Sequence, residues 1–504
     1  MLFRSAMGLG RRAMVGLAAL SVHQRHCHRE FGTVQAQAIT TLKHHTKGIP
    51  IPKGSVHVLR EPREFYQTIK GRIEQAKRQI TLSSLYIGTS EQDLVQALHN
   101  ALRKEPGLKV TILLDGLRGT RPSSTGESSV SLLAPLVREF PDRVRFSLYQ
   151  TPDLPRFLSR QVPPRFHEVV GIMHVKAMVF DDCTLLTGAN LSVDYFTNRQ
   201  DRYHLFSHVP SMANYYHELV STLSDLSFAA IPTPSSPEAL ILQPPKGMPH
   251  PQEDSESFRT RAHDRLERFI LHHQSDHGRS EKIGLKDGET LLFPTIQATP
   301  LGIHQDATCL LDLLSTLSHP KVHSTLTTGY FNLDDPLQQA ILSSSSTWDL
   351  IIASPKANGF YTAKDVARHV PNVYTNVEYA FQRQIQSINR SEFIRLHEYY
   401  RPGWTYHAKG IWLNYREDHT EKADPPPFLI TLGSPNYGYR SMHRDIEAHA
   451  YLVSEDNELC QDWEKERDYL MASAQPITIQ DTQGPERRGP WWVRAVSPVL
   501  RRYF

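Results

Sequence analysis

Two short patterns set an imidazole and an ammonium two residues apart: His174-Val175-Lys176 and His407-Ala408-Lys409. An imidazole titrating near neutrality can attack phosphorus, or carry a proton to or from an oxygen bound to it. A lysine supplies a point positive charge for phosphoryl oxygens whose charge must be held in a transition state. Asparagine amides can donate to the same oxygens. Gly188-Ala189-Asn190 follows the first pattern, and Gly433-Ser434-Pro435-Asn436 follows the second. On a β-strand, residues two apart share a face, so each His projects with its Lys while Val175, Met178 and Phe180 face the core. A bare His-x-Lys is weak evidence. His45-Thr46-Lys47 and His319-Pro320-Lys321 also fit it, with nothing relevant downstream. The whole set, occurring once in each half of the chain, is specific.

The elements that must hold these residues are written twice. Val56–Leu59 reads as a strand, 61–78 as a helix, 80–87 as a strand, 92–104 as a helix and 108–115 as a buried strand. The order returns with a strand at 295–297, a helix at 306–317, a strand at 324–331, a helix at 336–342 and a strand at 348–354. Alternating strands and helices predict right-handed βαβ units and a largely parallel sheet covered on both faces. The fold expected is therefore a duplicated α/β/α sandwich with pseudo-two-fold symmetry and one site at the seam. Proline crowds 232–251, where it can continue neither element, so 229–255 reads as a linker. It separates a first half, 50–228, from a second, 256–475, with a tail at 476–504. A charged, Pro-rich stretch at 416–427 reads as a surface loop.

Bulk composition narrows the classes. The 504 residues suffice for two ordinary domains. A net charge of +3 argues against a dedicated nucleic-acid binder. Cys27, Cys183, Cys309 and Cys460 are scattered, giving neither a disulfide scaffold nor a zinc knuckle. No metal or redox cofactor is expected. No apolar run reaches the 18 or so residues needed to span a bilayer. The first acid is Glu30, preceded by Arg4, Arg11, Arg12, Arg25 and Arg29, so 1–30 reads as a mitochondrial transit peptide.

The residues from His174 to Asp181 resemble the HxKx4D motif of the phospholipase D superfamily. Longer segments are similar to the eukaryotic phosphatidylglycerophosphate synthase family, among them Ser84–Thr89, Gly188–Ser192, Tyr195–Tyr203, Thr327–Asn332, Gly403–Gly410 and Gly433–Ser441. The resemblance implies a phosphatidyltransferase acting on CDP-diacylglycerol and glycerol 3-phosphate, peripheral to the mitochondrial inner membrane and without nucleic acid. It implies His174 as nucleophile, forming a phosphatidyl-histidine, and His407 as general acid/base. Lys176, Lys409, Asn190, Asn436 and Ser434 would hold or orient the phosphate. Asp201 and Glu447 match the carboxylates that orient the His of the opposite copy. Asp181 fills the motif's acid position, as a catalytic group or as a turn cap. Asn414 stands at the second such position, so the site is not strictly symmetric.

Other residues stay open at this level. Arg118 and Arg121 follow a strand end, where α/β sheets bind ligands, but a solvated loop accounts for them better. Arg199, Arg440 and Arg444 suit phosphate contacts or ion pairs. Trp491, Trp492, Val493, Val496, Leu500, Tyr503 and Phe504, interleaved with Arg494, Arg501 and Arg502, suit a membrane-interface tail or ordinary packing, with Pro498 opposing a clean helix. Two rivals accompany the transferase reading. One is a phospholipase-D-type hydrolase of lipid or nucleic acid, which would want a basic, aromatic-lined groove for the latter. The other is a non-enzymatic lipid scaffold, which would have lost a motif His or Lys.

Overall fold

The architecture was obtained as a computed structural model that describes residues 30–154, 170–233, 236–274, 285–417 and 424–503. In the first half, Gln79–Ser84, Lys109–Asp115 and Val144–Tyr149 run parallel. The helices Gln92–Lys104 and Ser129–Glu139 make the crossovers that parallel strands require. Gln92–Lys104 buries Leu94, Ala97, Leu98, Ala101 and Leu102, the stripe of a 3.6-residue period. On the other side of Gln79–Ser84 the chain meanders through Ala177–Phe180, Cys183–Thr187 and Tyr203–Phe206 to Val56–Leu59, all antiparallel.

The second half repeats this plan. Val322–Thr328, Thr347–Ala353 and Ile394–Tyr399 are parallel. Gly410–Tyr415, Leu429–Gly433, Ile446–Ser454 and Thr290–Ala298 then follow antiparallel. The sandwich and its duplication are as expected, but each sheet is mixed rather than largely parallel. The reason is local: Phe180 and Cys183 are joined by a two-residue hairpin, and such a link permits only antiparallel pairing.

Three further expectations change. Residues assigned to the linker instead form the hairpin Phe228–Thr233 and Ser236–Gln243, which extends the first sheet beside Val144–Tyr149. The pairing with Val144–Tyr149 has ended before Pro232, which sits opposite Leu240 at a break in the hairpin register. The chain also enters the second half before building the first. A helix over residues 30–45 packs Val34, Ala38, Ile39 and Leu42 into the second core, and Ile49–Ile51 pairs with Thr290–Ala298. Of the expected transit peptide, residues 1–29 lie outside the described residues. Finally, the tail is ordered: Ala474–Ile477 joins the second sheet, and Trp491–Leu500 is a helix despite Pro498.

The two extra His-x-Lys patterns belong to this packing. His45 binds Asp312 at 2.8 Å, and Lys321 binds Glu30 at 2.6 Å, both at the docking of the 30–45 helix. The largest core cluster is continuous across the halves, with Val175, Ala177 and Leu219 from one and Ala408, Trp412 and Ile430 from the other.

Candidate active site

Each His-x-Lys lies just before its strand rather than on it. The strands begin at Ala177 and Gly410. These lead-ins are extended because each hydrogen-bonds to the opposite half. The His174 N–H donates to the Ile446 carbonyl, and the His407 N–H donates to the Gln200 carbonyl. Both anchors adjoin the predicted carboxylates, so backbone pairing across the dyad delivers Glu447 to His174 and Asp201 to His407. His174 Nδ1 lies 2.8 Å from Glu447 Oε2, and His407 Nδ1 lies 2.6 Å from Asp201 Oδ2. A carboxylate at Nδ1 fixes the tautomer with Nε2 as the unprotonated nitrogen.

The electrostatics of the two pairs differ. Burial, then the Lys176 charge, holds the His174 imidazole well below its ordinary pKa. Burial and Lys409 do the same to His407. Burial brings Lys176 down to about 7 and Lys409 down to about 8. It pushes Glu447 up to about 7, against the pull of Lys176. Burial acts upward on Asp201 too, but the Lys409 charge and the His407 hydrogen bond outweigh it, leaving that carboxyl below its usual value. The carboxyl beside His407 is thus held toward its charged form, whereas burial pushes the one beside His174 toward its protonated form.

Both histidines line one cavity of about 370 Å³, with Asn190 and Asn436 from the two equivalent turns. The lysines sit behind them. Lys176 donates to the His174 carbonyl at 2.9 Å, and Lys409 bridges the Gly188 carbonyl and Asp201 at 3.3 and 3.2 Å. Gly188 is glycine because of this approach: a Cβ there would lie 2.3 Å from Lys409 Cδ. The cavity carries further cations at Arg118, Arg199 and Arg440. Arg118 lies over the Tyr86 ring and Arg199 over the Tyr195 ring. Arg121 and Arg444 are not among the lining residues.

Sequence reasoning missed Tyr195. Asn190 Nδ2 donates to its hydroxyl at 3.1 Å, and that hydroxyl lies 3.2 Å from His407 Nε2, to which it donates. Nothing in a lone buried tyrosine of a short helix marks it as a partner of a histidine 212 residues away. Also missed was Arg202, which crosses the seam to Glu466 at 2.8 Å and to the Thr431 carbonyl at 2.7 Å. Two expected members stand apart. Asp181 lies at the far end of its strand, where its carboxylate accepts the Lys77, Arg78 and Gln79 N–H groups at 2.8–3.0 Å. It is a turn cap, not a catalytic group, and φ is 53° there because the hairpin turns at that residue. Asn414 lies inside the longer strand Gly410–Tyr415 and donates to the Pro425 carbonyl. Ser434 Oγ bonds the Ala448 backbone and is not among the residues lining the cavity.

Comparison with known proteins is consistent with this geometry. The family described as cardiolipin synthase, PLD-like domain, matches residues 69–221. The mitochondrial CDP-diacylglycerol–glycerol-3-phosphate 3-phosphatidyltransferase of Gallus gallus is 36% identical, over 90% of this chain and 84% of its own. The human enzyme of that name is 35% identical with the same coverage, and that of Saccharomyces pastorianus is 34% identical over 88% and 87%. Among solved structures, phosphatidylserine synthase from Haemophilus influenzae superposes with a TM-score of 0.69, covering 92% of this chain and 96% of that one. At 19% identity this likeness speaks for the fold alone.

Proposed function

The chain belongs to the eukaryotic CDP-diacylglycerol–glycerol-3-phosphate 3-phosphatidyltransferases of the phospholipase D superfamily, and on that premise we propose how its residues divide the reaction. The enzyme is mitochondrial and moves the phosphatidyl group of CDP-diacylglycerol to glycerol 3-phosphate, releasing CMP on the way to phosphatidylglycerol and cardiolipin. His174 Nε2 attacks the phosphorus that bears the diacylglycerol. The N–P bond forms as the bond to the CMP oxygen breaks. CMP leaves with little protonation, because a phosphate monoester has its second pKa near 6. His407 then takes the proton of the attacking glycerol hydroxyl, a weak acid that needs a base. The new P–O bond forms as the N–P bond breaks, restoring His174.

Asp201 stabilises the imidazolium formed at His407, while Glu447 orients His174. Lys176 and Lys409 supply positive charge behind the phosphoryl group, and Asn190 and Asn436 face it. The cavity cations Arg118, Arg199 and Arg440 suit the additional phosphates of both substrates. One observation supports the two-histidine reaction: the imidazoles of both halves, each held at Nδ1 by a carboxylate of the other half, line one cavity. Contact with the inner membrane is peripheral in this reading. No helix among the described residues is long and apolar enough to cross a bilayer, yet the substrate carries two acyl chains.

Single-turnover mixing tests the order. His407→Ala should release up to one CMP per enzyme and retain the lipid on His174, located by peptide mass spectrometry. Wild type without acceptor should exchange labelled CMP into CDP-diacylglycerol, and phosphorus configuration should be retained overall. Lipid on His407 in a His174→Ala protein would reverse the roles, and inversion at phosphorus would remove the covalent intermediate.

A further inference from the structure

The C-terminal helix Trp491–Leu500 is packed with its more apolar side outward. It buries Val493 and Ser497 and leaves Trp491, Trp492, Val496 and Val499 exposed, Trp491 by 73% and Val499 by 63%. Packing holds it in that orientation. Ser497 Oγ is bonded to Asn376 of the helix Val370–Ser387, and Trp492 stacks edge-on against His369 at 5.2 Å. A helix whose solvent side carries two tryptophans and two valines is not explained by its contacts within the chain.

The outward face is continuous with the segment just before His369, where Tyr361 is 51% and Val366 72% exposed. That segment begins at Phe360, which lines the catalytic cavity and approaches Tyr330, itself against His407. At the helix's other end Tyr503 lies under Arg444, next to Tyr439–His443, whose Arg440 and Ser441 also line the cavity. The exposed apolar rim and the cavity mouth are thus one surface. The C-terminal part of this surface is one-sided in charge: no acid follows Glu486 and Arg494 and Arg502 are exposed, while Lys364 and Asp365 offset each other in 360–366. Interfacial tryptophans flanked by arginines match the headgroup layer of a bilayer that carries anionic lipid.

We propose that this rim, formed by 360–366 and the outward face of the C-terminal helix, seats the enzyme on a lipid leaflet. CDP-diacylglycerol then reaches His174 headgroup first while its acyl chains stay in the membrane. The proposal rests on the phosphatidyltransferase reading and names the face by which that enzyme meets its lipid. The buried Val493 and Ser497 serve to hold the helix, and the exposed tryptophans serve to insert.

Flotation of the full chain with phosphatidylcholine–cardiolipin vesicles, beside the double variant Trp491→Glu/Val499→Glu, tests it. We expect the variant to bind vesicles at least about tenfold more weakly. Turnover of long-chain CDP-diacylglycerol in vesicles should fall in proportion, while turnover of short-chain substrate in detergent stays at the wild-type level. That detergent assay separates this proposal from the function: product there with wild-type vesicle binding by the variant overturns the face but not the enzyme. Absence of vesicle binding by wild type overturns the face and the peripheral reading together. A wild-type dimer by light scattering that becomes monomeric in the variant, with vesicle binding intact, assigns the face to a second copy of the chain and overturns the proposal. As a variant-independent check, brominated lipid should quench wild-type tryptophan emission, and Trp491→Phe/Trp492→Phe should bind while losing the quenching. Retained quenching there counts against insertion.

Discussion

At the scale of single residues, the two carboxylates near the motifs have opposite fates. Asp201 meets the His407 imidazole of the other half, whereas Asp181 serves three backbone N–H groups. Asp201→Asn should therefore lower kcat by about 10²-fold or more with stability nearly unchanged. Asp181→Asn should cost about 1–3 kcal/mol of stability with kcat per folded molecule unchanged. Steady-state kinetics and urea unfolding on both variants check the contrast. The lysines set a pH limit. Only their charged forms stabilise phosphoryl oxygens, and burial leaves Lys176 at about 7 and Lys409 at about 8. Raising pH through those values removes the protons, so kcat/KM, which reports the free enzyme, should decline above about pH 7–8. Bound phosphates favour the ammonium forms, so the alkaline limb of kcat should lie higher. Parallel pH profiles measure both limbs, and coincident limbs would contradict the assignment.

At the scale of elements, close approach explains why certain turns admit no side chain. Gly188 opens the turn that carries Asn190, and a Cβ there would meet Asp201 Oδ1 at 2.6 Å as well as Lys409. Gly188→Ala must shift the lysine or the carboxylate, and a displacement near 1 Å at a reacting centre costs about 10²-fold. Gly410 plays a structural counterpart, since a Cβ at that position would overlap Arg202 Nη1. Arg202 and His204 share Glu466, all three buried, and Arg202 also lies over Trp412. Burial alone would raise the Glu466 pKa, but Arg202 and His204 bring it down to about 2. Removing one partner strands the other charge, so Glu466→Ala should destabilise the fold by about 3–5 kcal/mol. Chemical denaturation of this variant beside Gly188→Ala should separate a stability defect from a rate defect.

At the scale of the molecule, neither half contains an active site. Each His is oriented by a carboxylate from the other half, and the largest core cluster runs through both. Because these contacts are made within one chain, mixing folded His174→Ala and His407→Ala proteins should restore no activity. Recovery toward about a quarter of the wild-type rate in an equal mixture would mean that halves exchange between chains. The N-terminal helix adds to this unity, since residues 30–51 brace the second half before the first is built.

The order of elements, the duplication, the two working His-x-Lys pairs and their Asn turns were legible in the sequence. They depend on local periodicity and on residues spaced along one strand and turn. The parallel share of the sheets was misjudged because strand direction is set by link length, and the hairpin at Asp181 and Asp182 carries no breaker residue. Family resemblance implied that each acid serves the histidine of the opposite half, but only tertiary structure brings those partners, 273 and 206 residues apart, within hydrogen-bonding distance. It alone also shifted Glu447 and Asp201 in opposite directions, because burial and the nearest ammonium are properties of packing, not of residue type. The same holds for the last helix. Its composition announces an apolar side, but the burial of Val493 and the bond that Asn376 donates to Ser497 turn that side away from the core.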